Sequence, residues 1–151
     1  MQVFWLQALL AWIIGAPLLV GFSSTAPLGP FDIIGVVLWV VGFAFEAIAD
    51  VQLTAFLRNP ANRGRTMRSG LWRYSRHPNY FGDAAQWWGL WLVAVSAGGP
   101  WTVFAPILMA VLLVRVSGVG LLERTIAARR EGYDEYMRTT SAFIPMPPRA
   151  E

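Results

Sequence analysis

The sequence predicts an all-α fold: a multi-pass transmembrane helical bundle of about four spans, followed by a C-terminal amphipathic cytoplasmic helix. Three observations carry that expectation. Of 151 residues, 56% are hydrophobic and only 14% charged, against roughly a quarter charged in an ordinary soluble domain. The apolar residues, with 8 Trp and 9 Phe among them, fall in long uncharged runs, so lipid must be part of the solvent. The basic residues are all Arg, and every one except Arg115 lies between 58 and 77 or beyond Leu122.

The elements follow in order. Val3 to Phe22 carries no charge, and Ile33 to Phe45 is uncharged inside a longer apolar stretch; the expected spans are about 2–22 and 31–57. Residues 84–114 are uncharged, about 46 Å as one helix, which exceeds the roughly 30 Å hydrocarbon layer. Ala97-Gly98-Gly99-Pro100 breaks this run, so a tight helical hairpin is expected, about 79–97 and 100–120. The tail, 121–151, should be helical over about 121–138 and end before Pro145, Pro147 and Pro148. It would lie on the membrane or fold back over a ligand. One membrane domain, 1–151, accounts for the chain.

By the positive-inside rule the 58–77 loop and the C-terminus face the cytoplasm, placing the protein in the cell inner membrane. The N-terminus lacks the basic flank of a secretory signal. The chain has no Cys and one His, which excludes disulfide scaffolds, thiolate chemistry and multi-histidine metal centres; no metal is expected. No nucleic-acid partner is expected either.

The polar residues cluster in depth. Glu46 and Asp50 are one turn apart near the inner end of the second span; Asp83 begins the third; Arg115 ends the fourth, with Glu123 and Arg124 just beyond. Charges in a span cost about 2.5–3.5 kcal/mol each on insertion scales, so they should pair or line a watered cavity. Structural ion pairing between helices is the simpler alternative. Three acids against one Arg within the spans instead leave charge to be met by the Arg-rich loop or by a ligand.

The densest chemistry is Ser69-Gly70-Leu71-Trp72-Arg73-Tyr74-Ser75-Arg76-His77-Pro78-Asn79-Tyr80-Phe81-Gly82-Asp83. Pro78 disfavours helix at His77 and suits a first helical position, so a helix should start at about Asn79. Its free N–H groups would point toward Arg73, Arg76 and His77, a place for a phosphate or carboxylate. An interfacial Arg and aromatic belt on anionic lipid fits the same residues. Trp72, Tyr74 and Tyr80 would stack on a base or mark the interface; Trp87, Trp88 and Trp91 suit packing.

From Gly70 to Asp83 this pattern resembles the steroid 5-alpha-reductase-like membrane family, in particular the bacterial domain of unknown function 1295. Phe45-Glu46-Ala47-x-Ala49-Asp50-x-Gln52 with Phe56 and Arg58, then Glu123-Arg124, Tyr133, Tyr136 and Ile144-Pro145, extend the likeness. The isoprenylcysteine carboxyl methyltransferases share part of it. The resemblance implies an NADPH-dependent reductase of a carbon–carbon double bond in a lipid-soluble, steroid- or enone-like substrate. It implies cofactor contacts from Glu46, Asp50, Arg58, Arg76, His77, Asn79, Asp83, Tyr133 and Tyr136, with Arg58 and Arg76 clamping phosphates; by position along the chain Arg73, Arg115, Glu123 and Arg124 join them as cofactor candidates, and Tyr80 is the candidate proton donor by its place in the motif. It also implies further spans ahead of the point matched by Met1, so the chain reads as the C-terminal part of a longer architecture or as a short form completed by a partner or second copy. Two other readings stay open: an S-adenosylmethionine-dependent lipid or isoprenyl carboxyl methyltransferase, and a non-catalytic membrane scaffold.

Overall fold

The computed structural model describes residues 2–117 and 130–149, so the Glu123 and Arg124 expectation lies outside it. The described residues are helical without a strand; an isolated parallel bridge joins Arg65 and Glu131. The helices are α1 (Gln2–Ile14), α2 (Ala16–Ser23), α3 (Pro30–Arg58), α4 (Pro78–Ser96), α5 (Phe104–Val111), which runs on as a π-helical segment Leu112–Ser117, and α6 (Tyr133–Thr139). Short 3₁₀ turns occupy Pro60–Asn62, Gly70–Arg73 and Pro100–Val103.

The first span is not one straight helix, which corrects the expectation for 2–22: α1 and α2 meet at Gly15 with a 43° bend. The cause is Pro17, whose nitrogen has no hydrogen and whose ring crowds the carbonyl one turn back. The helix α3 is well bounded. Gly29 precedes Pro30, and the Asp32 carboxylate accepts from the Gly29 N–H at 2.7 Å and from the Ser96 hydroxyl of α4. Asn59 and Pro60 end it. His77 caps α4 with Pro78 at its first turn, and α4 stops where Gly98, at φ 85°, bonds back to Val95.

Glycines set how α3 meets α4. Gly35 faces Gly89 and Gly42 faces Gly82, two turns apart on each antiparallel helix. A Cβ on Gly35 or Gly42 would lie 2.6 Å from the carbonyl oxygen of Gly89 or Gly82, so backbone touches backbone, as in small-residue packing within membranes. Polar pairs cross the same seam: Gln86 Nε2 donates to Glu46, and Asn79 Nδ2 donates to Asp50 at 3.0 Å. Trp91 Nε1 donates to the Pro100 carbonyl at 3.1 Å and its ring meets Trp88 edge-on, in keeping with the packing reading.

By length and composition, α3 is long and apolar enough to cross a membrane, and α1 with α2 forms a second such unit if the bent pair is one span. Only 11% of the most apolar window of α3 is buried, so apart from the face packed on α4 its apolar side chains are largely exposed. Pro100–Arg115 is apolar but shorter.

Gly42→Val should overpack the seam and cost about 1–3 kcal/mol, read as a lower unfolding midpoint in detergent. Gly21→Ala, whose Cβ would meet Val93 at 3.9 Å, should stay within about 0.5 kcal/mol of the parent. Equal stability of the two variants would refute the backbone contact.

Candidate functional site

The end of the α3–α4 pair where Arg58 closes α3 and Pro78 opens α4 is built up by the loop between them and by the tail. Trp72 is turned inward by the Gly70–Arg73 turn, packs on Ala49 and Met67, and donates its indole N–H to the Ala49 carbonyl at 3.0 Å. The turn hangs from α3 through Gln52, whose Oε1 accepts from Leu71 N–H at 2.9 Å. Gly70, at φ 61°, lies so close over the Gln52 amide that a Cβ has no room. Because successive residues of a 3₁₀ turn point about 120° apart, burying Trp72 leaves Arg73 exposed.

The tail folds back rather than lying apart. Tyr133 and Tyr136 are buried, ring edge to ring face. The Tyr136 hydroxyl donates to the carbonyls of Trp72 and, at 3.2 Å, Ser75. Arg76 Nη1 donates to the Met137 and Thr140 carbonyls at 2.6 and 3.3 Å, closing the C-terminal end of α6, and its backbone N–H meets the Ser141 carbonyl. Arg68 pairs with Glu135 at 3.0 Å and lies 5.9 Å over the Tyr136 ring.

Between loop, α4 and tail lies a cavity of about 210 Å³. Trp72, Arg76, His77, Asn79 and Tyr80 line one side; Tyr133, Tyr136 and Arg130 come from the tail, and Leu53, Leu57, Thr66 and Met67 complete it. The His77 and Tyr80 rings stack 5.4 Å apart, 10° from parallel. A second cavity of about 410 Å³ adjoins it, sharing Leu57 and Arg130, with Arg58, Arg63 and Arg65 around it. Together the two reach the roughly 300–1,000 Å³ of small-molecule sites, which the first alone does not.

Of the residues expected from sequence, Arg76, His77, Asn79, Tyr80, Tyr133 and Tyr136 do meet in the first cavity. Asp50 stands behind it, holding Asn79. Glu46 lies further along the seam with Gln86, at the level where Gly82, next to Asp83, touches its backbone. Other expected residues are placed apart from the first cavity. Arg73 lines neither cavity, for the turn geometry above. Arg115 is exposed on the π-helical segment and also lines neither. Arg58 and Arg76 line different cavities, and Arg76 spends Nη1 on tail carbonyls. The start of α4 is not an open anion site either: Pro78 has no N–H and that of Tyr80 is taken by Asn79 Oδ1 at 3.0 Å. Sequence reasoning missed Leu53, Leu57, Thr66, Met67 and Arg130. Only the Arg129-Arg130-Glu131-Gly132 run hinted at the last, since its position depends on the bridge to Arg65.

The chain belongs to the family described as "Protein of unknown function (DUF1295)", whose model matches residues 1–140. It is 29% identical over 117 residues to the 3-oxo-5-alpha-steroid 4-dehydrogenase 1 of Rattus norvegicus, covering 77% of this chain and 42% of that protein. The Mus musculus protein of the same name matches equally over 117 residues. The Probable O-methyltransferase ustE of Ustilaginoidea virens is 32% identical over 69 residues, 46% of this chain and 24% of that protein. The chain thus spans less than half the length of these relatives. No solved structure matches it.

Tyr136→Phe removes a donor from two backbone carbonyls and should cost about 1–3 kcal/mol. Amide hydrogen exchange in Tyr133–Thr139 should quicken with it. Unaltered exchange would mean that the hydroxyl does not hold the tail.

Proposed function

We propose that this protein is a multi-pass enzyme of the inner membrane, its C-terminus cytoplasmic, that reduces a carbon–carbon double bond of a lipid-soluble, enone-like substrate with NADPH. The observation that carries this reading is a pair of adjoining cavities that share Leu57 and Arg130, one aromatic and one lined by arginines, at one end of an apolar helix pair. A dinucleotide needs both characters: ring faces for its bases and cations for its phosphates. The donor set fits. Trp72, Tyr133 and Tyr136 offer rings, Asn79 offers an amide fixed by Asp50, and Arg130 stands at the junction. Bound NADPH supplies hydride to one alkene carbon. The protein's part is to hold the acceptor carbon over that cavity, exclude water, and give a proton to the other carbon; Tyr80, held against His77, is the group assigned to that proton. The substrate's remaining walls are assigned to a second copy or a completing subunit, and its apolar part to the lipid phase.

The second reading, methyl transfer from S-adenosylmethionine, is favoured by the O-methyltransferase relative. That donor carries a sulfonium cation and no phosphate, a poor match to a wall of four arginines.

Titration in detergent, followed by Trp fluorescence, should show saturable NADPH binding and no response to S-adenosylmethionine. The reverse result would replace the reductase by the methyltransferase; silence to both would leave a non-catalytic scaffold. Asp50→Leu, which frees the Asn79 amide, should weaken NADPH about tenfold, near 1.4 kcal/mol, with an unchanged unfolding midpoint. Loss of folding would mark Asp50 as structural.

A further inference from the structure

The arginine cavity has features that a solvated basic loop does not need. Arg58, Arg63, Arg65 and Arg130 surround one space of about 410 Å³, and among the described residues no carboxylate lines it. Among the described residues the recorded ion pair is Arg68 with Glu135, so none of these four guanidiniums is neutralised that way. Free loops spread like charges apart; this backbone holds them together. Asn59 Oδ1 accepts from Ala61 N–H at 3.0 Å, Asn62 Nδ2 donates to the Phe56 carbonyl at 2.9 Å, and the Arg63 and Arg65 N–H groups bond to Pro60 and Asn62. The fourth arginine comes from the tail. Glu131 N–H donates to the Gly64 carbonyl at 3.1 Å and Thr66 Oγ1 donates to the Glu131 carbonyl at 2.8 Å, so Arg130 is delivered across a backbone bridge from 65 residues away in sequence.

We propose that this cavity is a phosphomonoester subsite assembled jointly by loop and tail, and that its occupancy locks the tail over the aromatic cavity. A monoester presents three free oxygens and a charge near −2, which several guanidinium forks can share; a phosphodiester presents less of both. Arginine beside a nucleotide cavity is the usual means of accepting a ribose 2′-phosphate. The coupling follows from shared groups. Arg130 lines both cavities and reaches the second only when the tail is docked. An anion there cancels the repulsion that opposes docking, and the docked tail brings Tyr133 and Tyr136 to the first cavity. The nucleotide source of the phosphate rests on the reductase reading; the site itself does not, since a lipid phosphomonoester at the inner leaflet offers the same group.

The test uses the full chain in zwitterionic detergent and Arg63→Gln/Arg65→Gln, a double variant at exposed positions that line only the second cavity. NADP⁺ should bind roughly tenfold or more tighter than NAD⁺ to the parent, and the variant should lose far more affinity for NADP⁺ than for NAD⁺, bringing the two together. Adenosine 2′,5′-bisphosphate should slow amide exchange in Tyr133–Thr139 of the parent and not of the variant. A second arm uses phosphatidylcholine vesicles containing phosphatidic acid or phosphatidylglycerol. If neither dinucleotide binds, but phosphatidic acid alone slows exchange and the variant loses this, the phosphomonoester site stands with a lipid source and the reductase reading falls. If NADP⁺ and NAD⁺ bind equally and the variant alters neither, the subsite is refuted while the reductase survives. If no phosphomonoester changes tail exchange, the lock is refuted.

Discussion

The contact on which the rest of the structure depends is the approach of two backbones at Gly35–Gly89 and Gly42–Gly82. In a bilayer, apolar side chains gain little by leaving lipid for one another, so helices are held by close van der Waals fit and by hydrogen bonds across the seam. Four glycines supply the fit. They also fix the register, because two contacts spaced two turns apart leave no room to slide. With register fixed, Glu46 meets Gln86, Asp50 meets Asn79 and Asp32 meets Ser96. The end of α3 and the start of α4 are then side by side, and the 59–77 segment must turn back on itself. Its turn is pinned to α3 at Gln52 and Ala49.

Onto this frame the tail is fastened mostly by side chains that give hydrogen bonds to backbone carbonyls. Tyr136 serves Trp72 and Ser75, Arg76 serves Met137 and Thr140, and Ser75 serves Phe143. Such contacts are specific in direction and modest in net strength, about 0.5–1.5 kcal/mol each, more where charge is involved. They are lost together if the tail shifts, so the cavity wall made by Tyr133 and Tyr136 is either complete or absent. The site is therefore made of two unlike parts: a floor fixed by helix packing and a wall held by a directional set of bonds.

How far this could be read from sequence follows from the same division. Features set by local chemistry were legible: the breakers at Ala97–Pro100, the start of α4 at Pro78, and the Arg-His-Pro-Asn-Tyr run as the place where polar chemistry gathers. The bend at Gly15 escapes such a reading although its cause, Pro17, is local: the uncharged run reads as one span. The exposure of Arg73 was not legible, because spacing along the chain does not show that a 3₁₀ turn sends Trp72 and Arg73 about 120° apart. Arg76 was read as a free cation, and its use by the tail depends on residues 61 to 64 positions away. Arg130 belongs to the same class, fixed by a bridge that no local pattern announces.

This separation bears on what such a site can do. A cavity whose floor is set by helix packing and whose wall comes from a distant segment presents its full set of groups only when that wall is docked. Placing the arginines on both parts gives the returning segment a charge cost that an anion relieves, so the ligand's own phosphate favours the closed arrangement through differential affinity for the two states. Hydrophobic closure alone would not distinguish one ligand from another. In a protein that exposes large apolar side chains such as Phe4, Trp5, Phe22 and Val51 along its helices, directional bonds and charge at the loop-and-tail end of the α3–α4 pair are the means left for discrimination. The arginine-only composition fits that need, since a planar fork can bond a carbonyl at Arg76 and present a cation at Arg130 within one cavity.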